Sequence, residues 1–184
     1  MKARGLHDEQ LTMTTFQRIL VPTDFSDCSH AACDLAVKLA TTYGATIELL
    51  HVDEPPAWQG FVIPELAVSM QNGTSTSLHE FVQTRARRAL GHLVEKLQQA
   101  GVGQVQQRMA AGDASRVILE VAREDHCDLI VMGTHGRKGF ERLVMGSVAE
   151  RVVRQADCPV LTVRITEDET RAETDEQPTD AVAP

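Results

Sequence analysis

The sequence predicts an α/β protein whose core is a five-stranded parallel, doubly wound sheet. Short runs rich in apolar and β-branched residues alternate along the chain with longer segments in which apolar residues recur every three or four positions. Residues that typically start or stop helices stand at most of the boundaries. At 184 residues the chain suits one domain. Strict alternation of strands and helices is typical of a parallel sheet with helices on both faces.

The first three elements are a strand, a helix and a second strand. Residues 18–21 form a short apolar run that ends at a Pro-Thr-Asp turn, residues 22–24. A helix is predicted between Ser26, which can cap its N-terminus, and Gly44, which can end it. Residues 46–52 are apolar or β-branched at most positions and predict the second strand.

The middle of the chain predicts a long irregular connection, a helix and a weak strand. Residues 53–75 contain three prolines and an Asn-Gly pair, so they cannot be regular throughout. Long connections of this kind are often functional. Residues 82–100 carry the helical apolar repeat, which stops at Gly101. Residues 104–109 alternate apolar and polar side chains, a pattern that indicates an edge strand.

The last part of the chain predicts two more helices and two more strands. Asp113 is suited to cap the third helix. Residues 128–132 are the most apolar of the strand-like runs and are expected to be central in the sheet. A fourth helix is predicted over 147–156, and a last strand over 160–165.

This order of elements predicts where a ligand would bind. With the third strand at an edge, the strand order becomes 3-2-1-4-5, and the winding of the sheet reverses between the first and fourth strands. Doubly wound sheets bind ligands beyond the carboxyl ends of their strands, at this point of reversal. The loops that follow residues 18–21 and 128–132 are therefore expected to line one crevice.

The loop after the fourth strand has features of a phosphate site. It contains Gly133 and Gly136, and nine residues later Gly146 and Ser147. Glycine allows the backbone to approach a ligand closely. A helix that starts at Ser147 offers unpaired N–H groups and the positive end of its dipole. Three cations occupy the same loop: Arg137, Lys138 and Arg142. On spacing alone, a solvated turn with ordinary loop glycines remains the alternative.

Charge and composition argue against several other kinds of site. The net charge is −8, of which residues 167–184 contribute −6, so no basic surface for nucleic acid is expected. No apolar run reaches the length of a membrane span, and a cytoplasmic location is expected. The four cysteines and seven histidines show no metal-ligand spacing, so no metal site is predicted. The P-loop and G-x-G-x-x-G patterns are both absent.

The glycine pattern resembles the nucleotide-binding class of the universal stress protein family, whose motif is G-x-x-G, nine residues, then G-[ST]. The surrounding sequence is similar to the family as well: Gly-Thr-His-Gly-Arg at 133–137 and Gly-Ser-Val-Ala-Glu at 146–150. So is the opening Ile-Leu-Val-Pro-Thr-Asp-Phe-Ser at 19–26. The resemblance covers residues 16 to about 165. It implies a Rossmann-like fold of the adenine nucleotide alpha hydrolase type.

The resemblance also implies an ATP site, with or without Mg²⁺. Asp24 would face the adenine or the ribose, and the alternative is a turn or helix-start residue. Pro22 and Thr23 would line the same wall, and Val52 would contact the base while also belonging to the core. The remaining residues would lie under the nucleotide or hold its phosphates: Met132, Gly133, Gly136, Gly146, Ser147 and Val148. Arg137 and Lys138 could neutralise outer phosphates or point to water.

The resemblance implies a nucleotide-dependent regulatory module of the stress response, with a protein partner that the sequence does not identify. A slow ATPase and a nucleotide-independent interaction protein stay open as alternatives. Family members dimerise through the last strand, which places residues 160–164 at an expected homodimer contact. The predicted domain covers 16–166, between an N-terminal extension (1–15) expected to be flexible and an acidic tail (167–184) expected to be disordered.

Overall fold

The structure is a computed structural model that describes residues 15–54, 74–134 and 145–165. Within these ranges strands and helices alternate from the first element to the last. The bounds are β1 (Arg18–Pro22), α1 (Asp27–Tyr43), β2 (Thr46–Asp53), α2 (Thr74–Gln99), β3 (Val105–Ala111), α3 (Ala114–Glu124), β4 (Leu129–Gly133), α4 (Ser147–Gln155) and β5 (Val160–Val163). The N-terminal extension and the acidic tail lie outside the described residues, apart from position 15.

The strands form one parallel sheet in the order β3-β2-β1-β4-β5. This confirms the predicted fold class and strand order. The most apolar run, β4, is interior but is not the middle strand. That position belongs to β1, whose residues Ile19, Leu20 and Val21 are fully buried. Apolar content therefore indicates that β4 lies inside the sheet but does not say which interior strand, β2, β1 or β4, is the middle one.

The core consists of two layers because side chains alternate across the sheet. Ile19, Val21 and Val131 point to one face and pack with α1 and α2. Leu20 and Ile130 point to the other face and pack with α3 and α4. Helices on both faces of a parallel sheet make the structure doubly wound. None of the helices in the described ranges is long and apolar enough to cross a bilayer.

The predicted helix ends agree with the structure in all but one case. The Ser26 hydroxyl accepts a hydrogen bond from the Ser29 N–H and caps α1, and Gly44 ends the helix in the left-handed conformation with φ 70°. Asp113 caps α3 by accepting from the Arg116 N–H. Helix α2, by contrast, starts eight residues before the predicted 82. Its first turns hold serine and threonine rather than an apolar repeat, so periodicity gave no sign of them.

A buried carboxyl group lies in β2, far along the strand from its carboxyl end. Glu48 is 3% exposed and lies 3.7 Å from both the Arg18 and the Arg108 guanidinium. Burial, with a further contribution from Asp125, raises the pKa of Glu48, and the two arginines only partly offset this. Arg108 also pairs with Asp125, at 2.8 Å, so its charge is shared.

We expect Glu48→Gln to become increasingly stabilising, relative to the unmodified protein, as the pH rises. A carboxyl whose pKa is raised by folding contributes its stabilisation while protonated, and that contribution is lost as the pH rises through the folded pKa. Glutamine resembles the protonated form at every pH. Urea unfolding at pH 4, 5.5 and 7 measures the difference in unfolding free energy. A difference that moves in the opposite direction would show that the two arginines outweigh burial.

Candidate functional site

A cleft of about 1070 Å³ opens at the carboxyl ends of the strands. It lies where the winding reverses, because β1 and β4 are neighbours whose connections leave to opposite sides. Nine residues predicted from the sequence line it together: Pro22, Thr23, Asp24, Val52, Met132, Gly133, Gly146, Ser147 and Val148. The other predicted positions, Gly136 and Arg137, and the nearby Lys138 and Arg142, lie outside the described residues.

The turn between β1 and α1 forms one wall of the cleft. The Asp24 carboxylate accepts hydrogen bonds from the Ser26 N–H (3.1 Å) and from the Ser26 hydroxyl (2.6 Å). The Thr23 hydroxyl accepts from the Phe25 N–H and lies 3.1 Å from the Ser29 hydroxyl. Asp24 is thus a residue of the turn before α1, as one interpretation of the sequence expected, and it also lines the cleft.

Gly133, the last residue of β4, is required by packing. A Cβ atom at this position would lie 2.9 Å from the Cys28 Cβ and 3.0 Å from the Cys28 carbonyl carbon. The Cβ would point to the α1 face of the sheet, the face to which Val131 also points. Helix α1 can therefore approach β4 closely only if residue 133 is glycine.

The N-terminus of α4 forms the opposite wall. Its N-cap residue, Gly146, makes no side-chain hydrogen bond to the helix, whereas α1 and α3 are both capped by side chains. The first hydrogen bond that returns into the helix is from the Glu150 N–H to the Gly146 carbonyl. Backbone hydrogen bonds from Thr134 to Val163 and from Gly146 to Thr134 hold this wall against the sheet. The N–H groups of Ser147 and Val148 thus begin the helix beside the cleft, and within the described residues no side-chain cap is seen for them.

Several residues that line the cleft were not predicted. These residues lie at or near the ends of β2 and the start of α3, and no sequence motif includes them: His51, Asp53, Glu54, Ala114 and Ile118. Glu54 accepts a hydrogen bond from the Ala114 N–H and so ties the end of β2 to the start of α3. His51 contacts the β1–α1 turn.

Cys33 and Cys127 are buried packing residues, and Cys158 is partly buried against the same core as Cys127. Burial raises the pKa of the Cys33 and Cys127 thiols to about 12, so thiolate is scarce at neutral pH. Burial also raises the pKa of Cys158. All four cysteines are free thiols. In the part of the chain that the structure describes, no group of three acidic, histidine or cysteine side chains could hold a metal ion.

Comparison with known proteins identifies similar chains with the same architecture. Universal stress protein MJ0531 of Methanocaldococcus jannaschii is 33% identical over 149 residues, which cover 81% of this chain and 82% of that protein. The solved structure of MJ0577 from the same organism superposes with a TM-score of 0.69 at 24% identity, covering 83% of this chain and 99% of the other.

A more distant solved structure holds a nucleotide. The universal stress protein of Archaeoglobus fulgidus in complex with dAMP has a TM-score of 0.54 and 19% identity, and the match covers 80% of this chain and 98% of that one. At such identities the two structural likenesses establish the fold. The model of the universal stress protein family matches residues 15–164, nearly the whole of the described part. The chain therefore belongs to the universal stress protein family.

Proposed function

We propose that the cleft binds an adenine nucleotide, with ATP as its ligand, and that the N-terminus of α4 receives the phosphates. The observation that carries this proposal is the start of α4 beside the cleft, where the N-cap residue Gly146 has no side chain to occupy the first N–H groups. Anions bind at such termini because free N–H groups and the positive end of the helix dipole converge there. Gly146 and Ser147 would contribute backbone N–H groups and a hydroxyl, and Val148 a further N–H. Gly136 is proposed to contribute a further backbone N–H, and the charge of Arg137 to neutralise the outer phosphates.

The nucleoside would lie against the ends of β1 and β2. Asp24 would face the adenine or ribose, since a carboxylate beside the triphosphate would repel it. Pro22, Thr23 and Val52 would form the wall around the base, and Met132 would lie below it. The carboxylate of Asp24 and the start of α4 belong to opposite walls of the cleft, which supports this orientation. Any Mg²⁺ would be held mainly by the phosphates, and we propose no protein ligand for it.

We further propose that nucleotide occupancy regulates a protein partner rather than driving fast chemistry. The dAMP complex of the Archaeoglobus fulgidus relative supports an adenine nucleotide as the ligand. Slow hydrolysis of ATP would be compatible with this regulation. Partner binding that does not depend on nucleotide would contradict it. Mass analysis of the nucleotide released from the purified protein by denaturation identifies the ligand directly.

Equilibrium titration tests the proposal. We expect ATP to bind more tightly than AMP, because two further phosphates would reach the start of α4. Titrations of the full chain with ATP, ADP and AMP, each with Mg²⁺, give the three dissociation constants. Failure of ATP to bind at millimolar concentration would reject the proposed function.

We also propose a homodimer that forms through β5, the edge strand next to β4. Leu161 of β5 and Val153 of α4 are large apolar side chains left 38% and 46% exposed. An exposed apolar edge strand is a favourable surface for a second copy of the chain.

We expect Leu161→Glu to convert the dimer to a monomer, because it places a charge in an apolar contact. Sedimentation equilibrium of this variant measures the change in mass. Gln107→Glu on the opposite edge strand, β3, adds the same charge at an exposed position and should leave the dimer intact. Equal masses for Leu161→Glu and the unmodified protein would place the contact elsewhere or show that there is none.

A further inference from the structure

A histidine in β2 contacts the turn that carries Asp24. It is not part of the glycine motif, and the fold does not require a histidine at this position. The Nδ1 atom of His51 lies 2.8 Å from the Thr23 carbonyl oxygen. A carbonyl oxygen only accepts, so Nδ1 donates, whether the ring is neutral or charged. The Thr23 N–H in turn donates to the Leu50 carbonyl at 2.8 Å. Thr23 is therefore held to β2 through both its N–H and its carbonyl group.

The His51 ring also supports a strained residue of the same turn. Phe25 has φ 62°, in the left-handed region that bulky side chains rarely adopt. The Phe25 and His51 rings lie 4.6 Å apart, centroid to centroid, with 36° between their planes. Strain of this kind persists only where the surrounding contacts enforce it, and it is concentrated at functional sites.

Asp24 lies between the two residues that His51 contacts. Its carboxylate is further oriented by Ser26, the N-cap of α1. The side chain of His51 points to the α1 and α2 face of the sheet, because it follows Ile47 and Leu49 in the strand alternation. The start of α4 belongs to the other face. His51 is thus placed to influence the nucleoside end of the cleft without contacting the phosphates.

We propose that His51 is a positioning residue that orients Asp24 toward the nucleoside, through its hydrogen bond to the Thr23 carbonyl and its ring contact with Phe25. This inference rests on the proposed nucleotide function and specifies which residues of the cleft select the nucleoside. His51 acts through Asp24, so its removal should weaken discrimination between nucleosides and leave discrimination between ATP and AMP unchanged.

A double-mutant cycle separates this role from a general effect on the fold. The variants are His51→Phe, which keeps a ring and loses the donor, and Asp24→Asn, together with their combination. We expect each single variant to weaken ATP binding about five- to tenfold, the effect of one lost hydrogen bond. The double variant should bind no more weakly than Asp24→Asn alone. Combining His51→Phe with Ser147→Ala should instead multiply the two losses, because those sites are independent.

Two further measurements distinguish positioning of Asp24 from a merely structural role of His51. They are the selectivity between nucleosides and the recovery of that selectivity in a conservative variant. His51→Phe should reduce the preference for ATP over GTP and over 2′-deoxy-ATP as Asp24→Asn does, with the ratio of AMP to ATP dissociation constants unchanged. His51→Asn keeps an N–H donor near the position of Nδ1 and should recover part of the selectivity. The ¹⁵N shifts of His51 in the unmodified protein should report a proton on Nδ1, a measurement that needs no variant to fold.

The possible negative results distinguish the positioning role of His51 from the proposed nucleotide function. Multiplied losses in the His51→Phe, Asp24→Asn double variant, or a neutral His51 with its proton on Nε2, would overturn the positioning role and leave the nucleotide site intact. Normal nucleoside selectivity in Asp24→Asn would do the same. A protein that binds no ATP would overturn the proposed function and this inference together.

Discussion

Ser147→Asp should lower the affinity for ATP by about a hundredfold and slightly raise the stability of the fold. A carboxylate at the first residue of α4 would lie beside the proposed phosphates, and at about 4 Å in partly solvated surroundings such a repulsion amounts to about 4 kcal/mol per pair of charges before screening. The same carboxylate interacts favourably with the helix dipole, which contributes about 0.3–1 kcal/mol to stability. Binding and stability should therefore change in opposite directions. Calorimetric titration with ATP and thermal unfolding without nucleotide measure the two effects.

Two controls isolate the charge at the start of α4. Ser147→Ala removes the hydroxyl but keeps the N–H groups, and should weaken ATP binding by about tenfold or less. Gln98→Glu adds one negative charge at an exposed position near the end of α2 and should leave ATP binding unchanged. If Ser147→Asp bound ATP as well as Gln98→Glu does, the phosphates could not lie at α4.

Gly133→Ala should destabilise the protein by about 1–3 kcal/mol, the usual cost of overpacking. The added Cβ meets the Cys28 backbone at 3.0 Å, and backbone in the first turn of a helix cannot move aside as a flexible side chain can. Because α1 begins at the turn that holds Asp24, a shift of this helix should also weaken nucleotide binding. Urea unfolding and ATP titration of the variant measure the two consequences.

Gly91→Ala is the matched control for this substitution. Gly91 lies inside α2, where an added Cβ meets nothing within 4 Å. Alanine there should stabilise the protein by about 0.5–1 kcal/mol, because glycine is a poor helix former. Were Gly133→Ala as stable as the unmodified protein, the glycine would serve the approach of a ligand rather than the packing of α1 on β4.

Local patterns located the elements of the fold because each element has its own signal along the chain. The caps at Ser26 and Asp113 and the stop at Gly44 act through neighbouring residues, so the sequence shows them directly. The strand order followed from a single half-polar run, β3, and from the rules of parallel connection. The same rules predicted the position of the cleft, and the structure shows predicted residues on both of its walls.

Contacts between distant segments could not be predicted in the same way. Nothing in the sequence indicates that Cys28 lies against Gly133, so packing against α1 was not among the roles predicted for this glycine. The partners of His51 and Glu48 depend on the register between strands, which the alternation of elements does not determine. In the sequence, both are polar residues within a mostly apolar run.

The proposed function requires ATP to occupy the cleft between the ends of β1 and β4. A crystal structure of the full chain with Mg²⁺ and a non-hydrolysable ATP analogue tests it most directly. We predict phosphate oxygens within hydrogen-bonding distance of the Ser147 and Val148 N–H groups, and the nucleoside beside Asp24. Nucleotide bound elsewhere on the protein, or a cleft filled by the protein's own side chains at saturating analogue, would contradict it.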